Sequence, residues 1–222
     1  MRVFRFALCA MVALPLLMAA CTKSPEFVAK EEPWRGSSER SCLATVDFSK
    51  SRFLTPRSAL GGPSACGAER PYDMSATFDG RVRLTPAATL QCQMSPTVER
   101  WITEVVEPAA QRHLLTPLVE LKVAASYACR PMNGVSGNKL SEHGHANALD
   151  ISGFHLADGR LLTVKSGWNG GAGEREFLRA VHRGACGLFT TVLGPNSNSY
   201  HADHFHLDLA RHGKDGNHRV CE

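Results

Sequence analysis

The 222-residue sequence lacks a long apolar run, a marked excess of either charge, a C-x-x-C cysteine pair, a proline-rich tract and any internal repeat. Each absence excludes something. The longest apolar stretch, Phe6 to Ala20, has 15 residues, short of the roughly 20 that a membrane-spanning helix needs. A net charge of +4 gives no reason to expect nucleic acid as a partner. Without closely spaced cysteines there is no zinc knuckle, and without repeats or proline tracts there is no solenoid or fibrous architecture. A 43% hydrophobic and 21% charged composition is that of an ordinary globular domain rather than a disordered chain.

What is present begins at the N-terminus. Arg2 and Arg5 precede the apolar run, and small residues Ala19 and Ala20 close it, the layout of a secretory signal over residues 1–20. Leu17-Met18-Ala19-Ala20-Cys21 resembles a bacterial lipobox, so Cys21 is expected to carry lipid and tether the chain to a membrane. Thr22 follows it, with no aspartate to signal inner-membrane retention, so the expected location is periplasm-facing, on the outer membrane. The polar stretch up to about Arg40 contains Pro25 and Pro33 and has no sustained apolar period. It is expected to be a flexible tether over residues 21–40, followed by one domain over 41–222.

Export into an oxidising compartment lets thiols pair. The expected domain holds six cysteines, Cys42, Cys66, Cys92, Cys129, Cys186 and Cys221, an even number that suggests disulfides. The sequence does not choose among the pairings; the arrangement expected here joins Cys42 to Cys66, Cys92 to Cys129 and Cys186 to Cys221.

Apolar periodicity predicts a helix from Ser95, capped by that serine, with Pro96 at its first position and Pro108 kinking or ending it. Glu174 to Arg183 reads as a second helix, with Gly184 just past its end. Strand-like runs lie at Leu121 to Tyr127, Ala148 to Phe154, Arg160 to Lys165, Thr190 to Leu193 and His204 to Leu209, and Asp158-Gly159 marks a hairpin. Strands and helices do not alternate regularly, so the expected fold class is α+β, a mainly antiparallel sheet with flanking helices.

Nine of the ten histidines fall between His143 and His218, which directs the search for chemistry to the C-terminal third. Two segments stand out, Ser141-Glu142-His143-Gly144-His145-Ala146-Asn147-Ala148-Leu149-Asp150 and Asp203-His204-Phe205-His206-Leu207-Asp208. Strand alternation puts Asp150 on the polar face while Leu149 and Ile151 enter the core. It likewise puts His204, His206 and Asp208 on one face and Phe205 and Leu207 on the other. His143 precedes its strand in a bend from which it can reach the same spot. Two imidazoles and a carboxylate suit a borderline-soft divalent ion, and three protein ligands leave a fourth position open.

The runs LTPAATLQCQM, SYACR, LSEHGHANALDISGF, LADGR, HRGAC, TVLGP and HADHFHLD resemble the extensin-like C-terminal domain family of bacteria across nearly all of Cys42 to Cys221. That family is similar to the zinc D-Ala-D-Ala carboxypeptidases and L-alanyl-D-glutamate endopeptidases, whose pattern is S-x-H-x-x-G-x-A-x-D followed by [DE]-x-x-H. Ser141, His143, Ala148 and Asp150 match the first motif; Ala146 stands where the group has glycine. Asp203 and His206 match the second. The resemblance implies a D-Ala-D-Ala carboxypeptidase-like (hedgehog/DD-peptidase) fold and a Zn2+ ion on His143, Asp150 and His206. It further implies Asp203 as general base and Arg130 as the cation that holds a substrate carbonyl or carboxylate. The implied substrates are peptidoglycan peptides, cleaved by a metal-activated water. A different-class alternative is a catalytically silent, zinc-containing cell-wall-binding module.

One conflict lies within this reading. In an ideal strand Asp203 faces away from His206, so Asp203 must sit at a bulge or before the strand; otherwise His204 is the base. Among the remaining residues, His145 and His201 are close enough for supporting roles, while His113, His155, His182, His212 and His218 read as surface or packing residues. Asp208 is expected to be structural or to support a ligand histidine, Trp101 to be core, and Trp168 to line a cleft or pin a glycine-rich loop.

Overall fold

The computed structural model describes residues 32–48, 51–61 and 65–222. The expected signal and Cys21 lie outside them. In chain order the elements are α1 (Trp34–Thr45), β1 (Leu54–Pro56), β2 (Leu60–Gly61), β3 (Gly67–Ala68), β4 (Tyr72–Ala76), β5 (Arg83–Leu90), α2 (Met94–Trp101), a π-helical turn (Ile102–Val106) and α3 (Glu107–Leu114). They continue with β6 (Leu118–Ala125), β7 (Ala148–Leu156), β8 (Leu161–Thr163), α4 (Val164–Gly167), α5 (Ala172–Ala185), β9 (Thr191–Leu193), β10 (Phe205–Asp208) and β11 (Val220–Cys221). The main sheet runs β1-β4-β5-β6-β7-β10-β9-β11, with β8 also paired to β7. Its pairings are antiparallel except β5 with β6 and β9 with β11. The α+β class and mainly antiparallel sheet match the expectation from sequence. The β5-to-β6 connection is a single crossover through α2 and α3 that the irregular alternation concealed.

Most expected strands form within a few residues of their expected limits, and β7 and β8 make the hairpin around Gly159. Beyond β8, however, Val164 and Lys165 turn into the short helix α4. The helices depart further. α2 starts at Met94 behind Gln93, so Ser95 lies inside the first turn and does not cap it. Pro108 does not end the helical segment: it sits at the start of α3, directly after the π turn. Proline lacks an amide hydrogen and crowds the preceding turn, and a π turn is one way to absorb the resulting break. α5 extends at both ends of its expected range. Gly184 lies within it rather than past its end; a Cβ there would come within 2.3 Å of Val105 Cγ1, so close packing against the π turn accounts for the glycine. α1 begins inside the stretch expected to be tether.

The disulfide arrangement corrects the expectation from sequence in two of three bridges. The bonds are Cys42–Cys92, Cys66–Cys129 and Cys186–Cys221, so only the last pairing is the expected one. Neighbours in sequence are not neighbours in space here. Cys42 ends up over the start of α2, and Cys66 beside the segment that follows β6.

Apolar side chains from the helices and one sheet face form the core. Trp101, Phe154, Phe177, Phe189 and Phe205 are completely buried, with successive ring centroids 5.1–6.4 Å apart, spacings that favour tilted and edge-on aromatic packing. Trp101 also donates from Nε1 to the Val181 carbonyl at 3.2 Å, locking α2 to α5. Trp168 is an anchor: it is buried, donates to Asn196 at 2.9 Å and carries Arg179 on its face. Leu149 and Ile151 enter this core, which leaves Asp150 on the opposite face of β7.

Candidate metal centre

The sheet register brings the two motif segments together. β7 and β10 are antiparallel with Asp150 directly opposite His206 and Ala148 opposite Asp208, and directly opposed residues have Cβ atoms only about 5 Å apart. His143 arrives from a 3-10 turn, Glu142–His145, immediately before β7. Ser141 caps that turn, its Oγ accepting from the His143 amide at 3.4 Å. The turn closes at Ala146, whose φ of 52° is left-handed; an L side chain there costs roughly 1 kcal/mol. That conformation is the physical reason why glycine suits this position in the resembling motif.

The three side chains converge. His143, Asp150 and His206 are all buried, and one ligand atom from each lies within 4.8 Å of the other two. His206 Nδ1 is 2.9 Å from Asp150 Oδ1 and His143 Nε2 is 3.1 Å from Asp150 Oδ2. The outward nitrogens are tied down as donors. His143 Nδ1 faces the Ser126 carbonyl at 2.5 Å and His206 Nε2 faces Asp208 Oδ2 at 2.9 Å. Both partners can only accept, so in their neutral forms both rings turn a lone pair toward the Asp150 carboxylate.

Three electron-rich groups in one buried spot require positive charge between them. Burial alone would raise the Asp150 pKa, but the His143 and His206 rings outweigh it and hold the carboxylate well below its usual range. Burial would likewise lower the His206 pKa, yet Asp150 and Asp208 push it up to about 10. A proton on His206 supplies part of the needed charge. His143 Nε2, despite its closeness to Asp150, is a buried nitrogen without an aligned hydrogen-bond partner. Two imidazoles and a carboxylate with one orphaned donor atom fit a divalent cation with borderline-soft preferences.

The other residues singled out in the sequence stand around this centre in different ways. Asp203 lies before β10, and its exposed carboxylate accepts from His204 Nδ1 at 3.0 Å, away from the buried cluster. His204 turns its Nε2 to within 3.8 Å of Asp150 Oδ1. The two therefore form a relay in which His204, not Asp203, faces the centre. His201 is buried beside them, its Nδ1 on Asn198 Oδ1 at 2.8 Å. Burial, followed by the charges of His206 and His204, lowers its pKa to about 4. His145 stays outside the cluster. Its pKa is lowered by burial and then by Arg35. Arg130 follows the bridged Cys129, and its carbonyl accepts from the Ser141 amide at 3.1 Å, which ties it to the same turn. Its guanidinium has no hydrogen-bond or ion-pair partner among the described residues.

Three features of the site were absent from the reading of the sequence: the Ser126 carbonyl behind His143, and the partners Glu142 and Asn147. Asn147 donates to Glu142 Oε2 at 2.6 Å and accepts from Gln91. Glu142 and Asn147 lie inside the motif segment, one beside His143 and the other between His143 and Asp150, and these two further polar residues were the available signal.

A second donor group, His182 with Cys186 and Cys221, also converges. Its two sulfurs are bonded to each other and His182 Nε2 faces the Glu222 carbonyl at 3.0 Å, so it presents a disulfide rather than thiolates.

Comparison with known proteins gives one match. A family model described as the extensin-like protein C-terminus covers residues 40–222. No curated protein and no solved structure matches the chain.

Proposed function

The chain belongs to the extensin-like C-terminal family, and we propose that it is a zinc-dependent hydrolase of peptide bonds in bacterial peptidoglycan. Its proposed fold relatives are the D-Ala-D-Ala carboxypeptidases, and its proposed place is the periplasmic side of the outer membrane, tethered by lipid on Cys21. One observation carries the reading: two buried imidazoles, each fixed from behind by an acceptor, turn their free nitrogens onto one carboxylate. The motif similarity of Ser141 to Asp150 and of Asp203 to His206 supports the substrate class.

His143, Asp150 and His206 would hold the ion. Zinc supplies Lewis acidity and lowers the pKa of a water to about 7. His204 Nε2 stands at the edge of the centre, where it can take the proton of the attacking water and return it to the leaving amine. Asp203 holds the His204 ring through Nδ1–H, fixing the tautomer that leaves Nε2 free to accept, as a carboxylate orients a general-base histidine. The Arg130 guanidinium, without a partner among the described residues, offers a planar fork for a substrate carbonyl or carboxylate. The proton carrier in this scheme is His204, with Asp203 as its positioning partner.

The test compares the unaltered chain with His204→Ala and Asp203→Asn, each loaded with zinc and incubated with sacculi and muropeptides. His204→Ala is expected to retain the metal and lose turnover roughly a hundred- to ten-thousand-fold, the usual contribution of a proton-transferring side chain. Asp203→Asn is expected to lose less. Equal turnover of His204→Ala and the unaltered chain contradicts the assignment, and a zinc-loaded unaltered chain that releases no fragment points to the binding module instead.

A further inference from the structure

The turn that carries His143 is gripped from a distant part of the chain. Arg35, on the first turn of α1, donates from Nη1 to Glu142 Oε2 at 2.8 Å and from Nη2 to Glu142 Oε1 at 2.6 Å, across 107 residues of sequence. Both side chains are mostly buried, at 15% and 16% exposure, where a two-pronged guanidinium–carboxylate contact is far less screened than on an open surface. Glu32 adds a second carboxylate to the same guanidinium. The grip continues inward. Glu142 Oε2 also accepts from Asn147 Nδ2, Asn147 Oδ1 accepts from Gln91 Nε2, and the Gln91 amide donates to the Ala146 carbonyl at 2.8 Å. Arg35 is itself held in place: its guanidinium lies 4.4 Å from the Trp34 ring centroid, and Arg211 lies 4.7 Å from the same ring.

These contacts enclose the turn on both sides of His143. Glu142 precedes the histidine, and Ala146 and Asn147 follow it. A ring whose Nε2 must meet Asp150 and His206 in one small volume depends on a backbone that cannot drift, because partners that orient metal ligands govern affinity nearly as strongly as the ligands. Arg35 lies ahead of the family-matched span, which starts at residue 40.

We infer that Arg35 is a positioning residue for the cation centre, holding His143 in ligating geometry through Glu142, Asn147 and Gln91. The inference rests on the metal reading above. Its test measures zinc affinity by competition with a chromophoric chelator, and the visible absorption of bound Co2+, in the full chain. The chains compared are the unaltered one and Arg35→Ala, Arg35→Lys, Glu142→Gln and Arg100→Ala. Arg35→Ala and Glu142→Gln are expected to weaken zinc binding roughly 10- to 100-fold and to change the cobalt spectrum, which reports ligand geometry rather than fold stability. Arg35→Lys keeps the charge and the stem but loses the fork, and is expected to fall between. Arg100, in an exposed pair with Glu104, serves as the control and is expected to change nothing. Unaltered affinity and spectrum in both Arg35 variants overturn the inference while leaving the metal centre standing. An unaltered chain that binds neither ion overturns both.

Discussion

Replacing Asp150 with alanine is expected to cost at least a thousandfold in zinc affinity, about 4 kcal/mol at the usual conversion, and to weaken the ion-free fold as well. Asp150 is the common partner of both rings: its two oxygens face His206 Nδ1 and His143 Nε2. Without it only two ligands remain, and the arrangement that calls for a cation is gone. In the ion-free chain the change removes one of the two carboxylates that face the buried His206 ring and leaves its Nδ1 without an acceptor, while Asp208 stays on Nε2. Breaking a buried, hydrogen-bonded charge pair costs about 3–5 kcal/mol, and the remaining partner puts the expected cost at the low end. Asp150→Asn separates the effects, since it keeps the volume and removes the charge. Metal content after dialysis and urea unfolding of chelated protein read the two quantities. An Asp150→Ala chain that retains one tightly held zinc contradicts the ligand assignment.

The second large effect concerns the bridge between α1 and α2. Removing Cys42–Cys92 through paired alanine substitutions is expected to destabilise the fold by roughly 4 kcal/mol on the chain-entropy account, because the bridge closes a loop with a sequence separation of 50. Both cysteines are buried, Cys92 completely. The bridge also anchors the helix that bears Arg35, so zinc affinity is expected to fall with it. Urea denaturation compares the midpoints, and peptide mapping without reductant identifies the bridge directly. A midpoint equal to that of the unaltered chain contradicts this account, as does a map that joins Cys42 to Cys66.

How much of this was legible in the sequence follows from how far each feature reaches. The convergence of Asp150 and His206 could be read because both lie on short strands whose alternation is clear: Leu149, Ile151, Phe205 and Leu207 are core residues, which leaves the polar partners on the other face. The β1-β4-β5 side of the sheet could not. β4 and β5, with the sequences YDMSA and RLTPAATL, carry Asp, Ser and Pro where strands usually carry branched or aromatic residues, and no strand was expected there. α1, WRGSSERSCLAT, has no apolar periodicity; it is held by a disulfide and an ion pair rather than by an apolar face. Two of the three bridges were misread because spacing alone carries almost no information about pairing; only Cys186–Cys221 was read correctly. The Arg35–Glu142 contact was illegible for the same reason, being a tertiary fact between distant residues.

The roles of Asp203 and His204 show where motif and geometry diverge. The motif favours the acid three places before His206. Asp203 does lie ahead of β10, as the motif requires, but its carboxylate is exposed and turned onto His204 Nδ1; that contact, not its place in the chain, favours the histidine in the proposed scheme.

The most direct measurement of the central claim is zinc-edge X-ray absorption on the purified chain, together with its metal content. The account predicts one zinc per chain in a shell of nitrogen and oxygen at about 2.0–2.1 Å, with two imidazoles and no sulfur. A chain that retains no zinc from a metal-replete medium, or one whose zinc has sulfur neighbours, contradicts it.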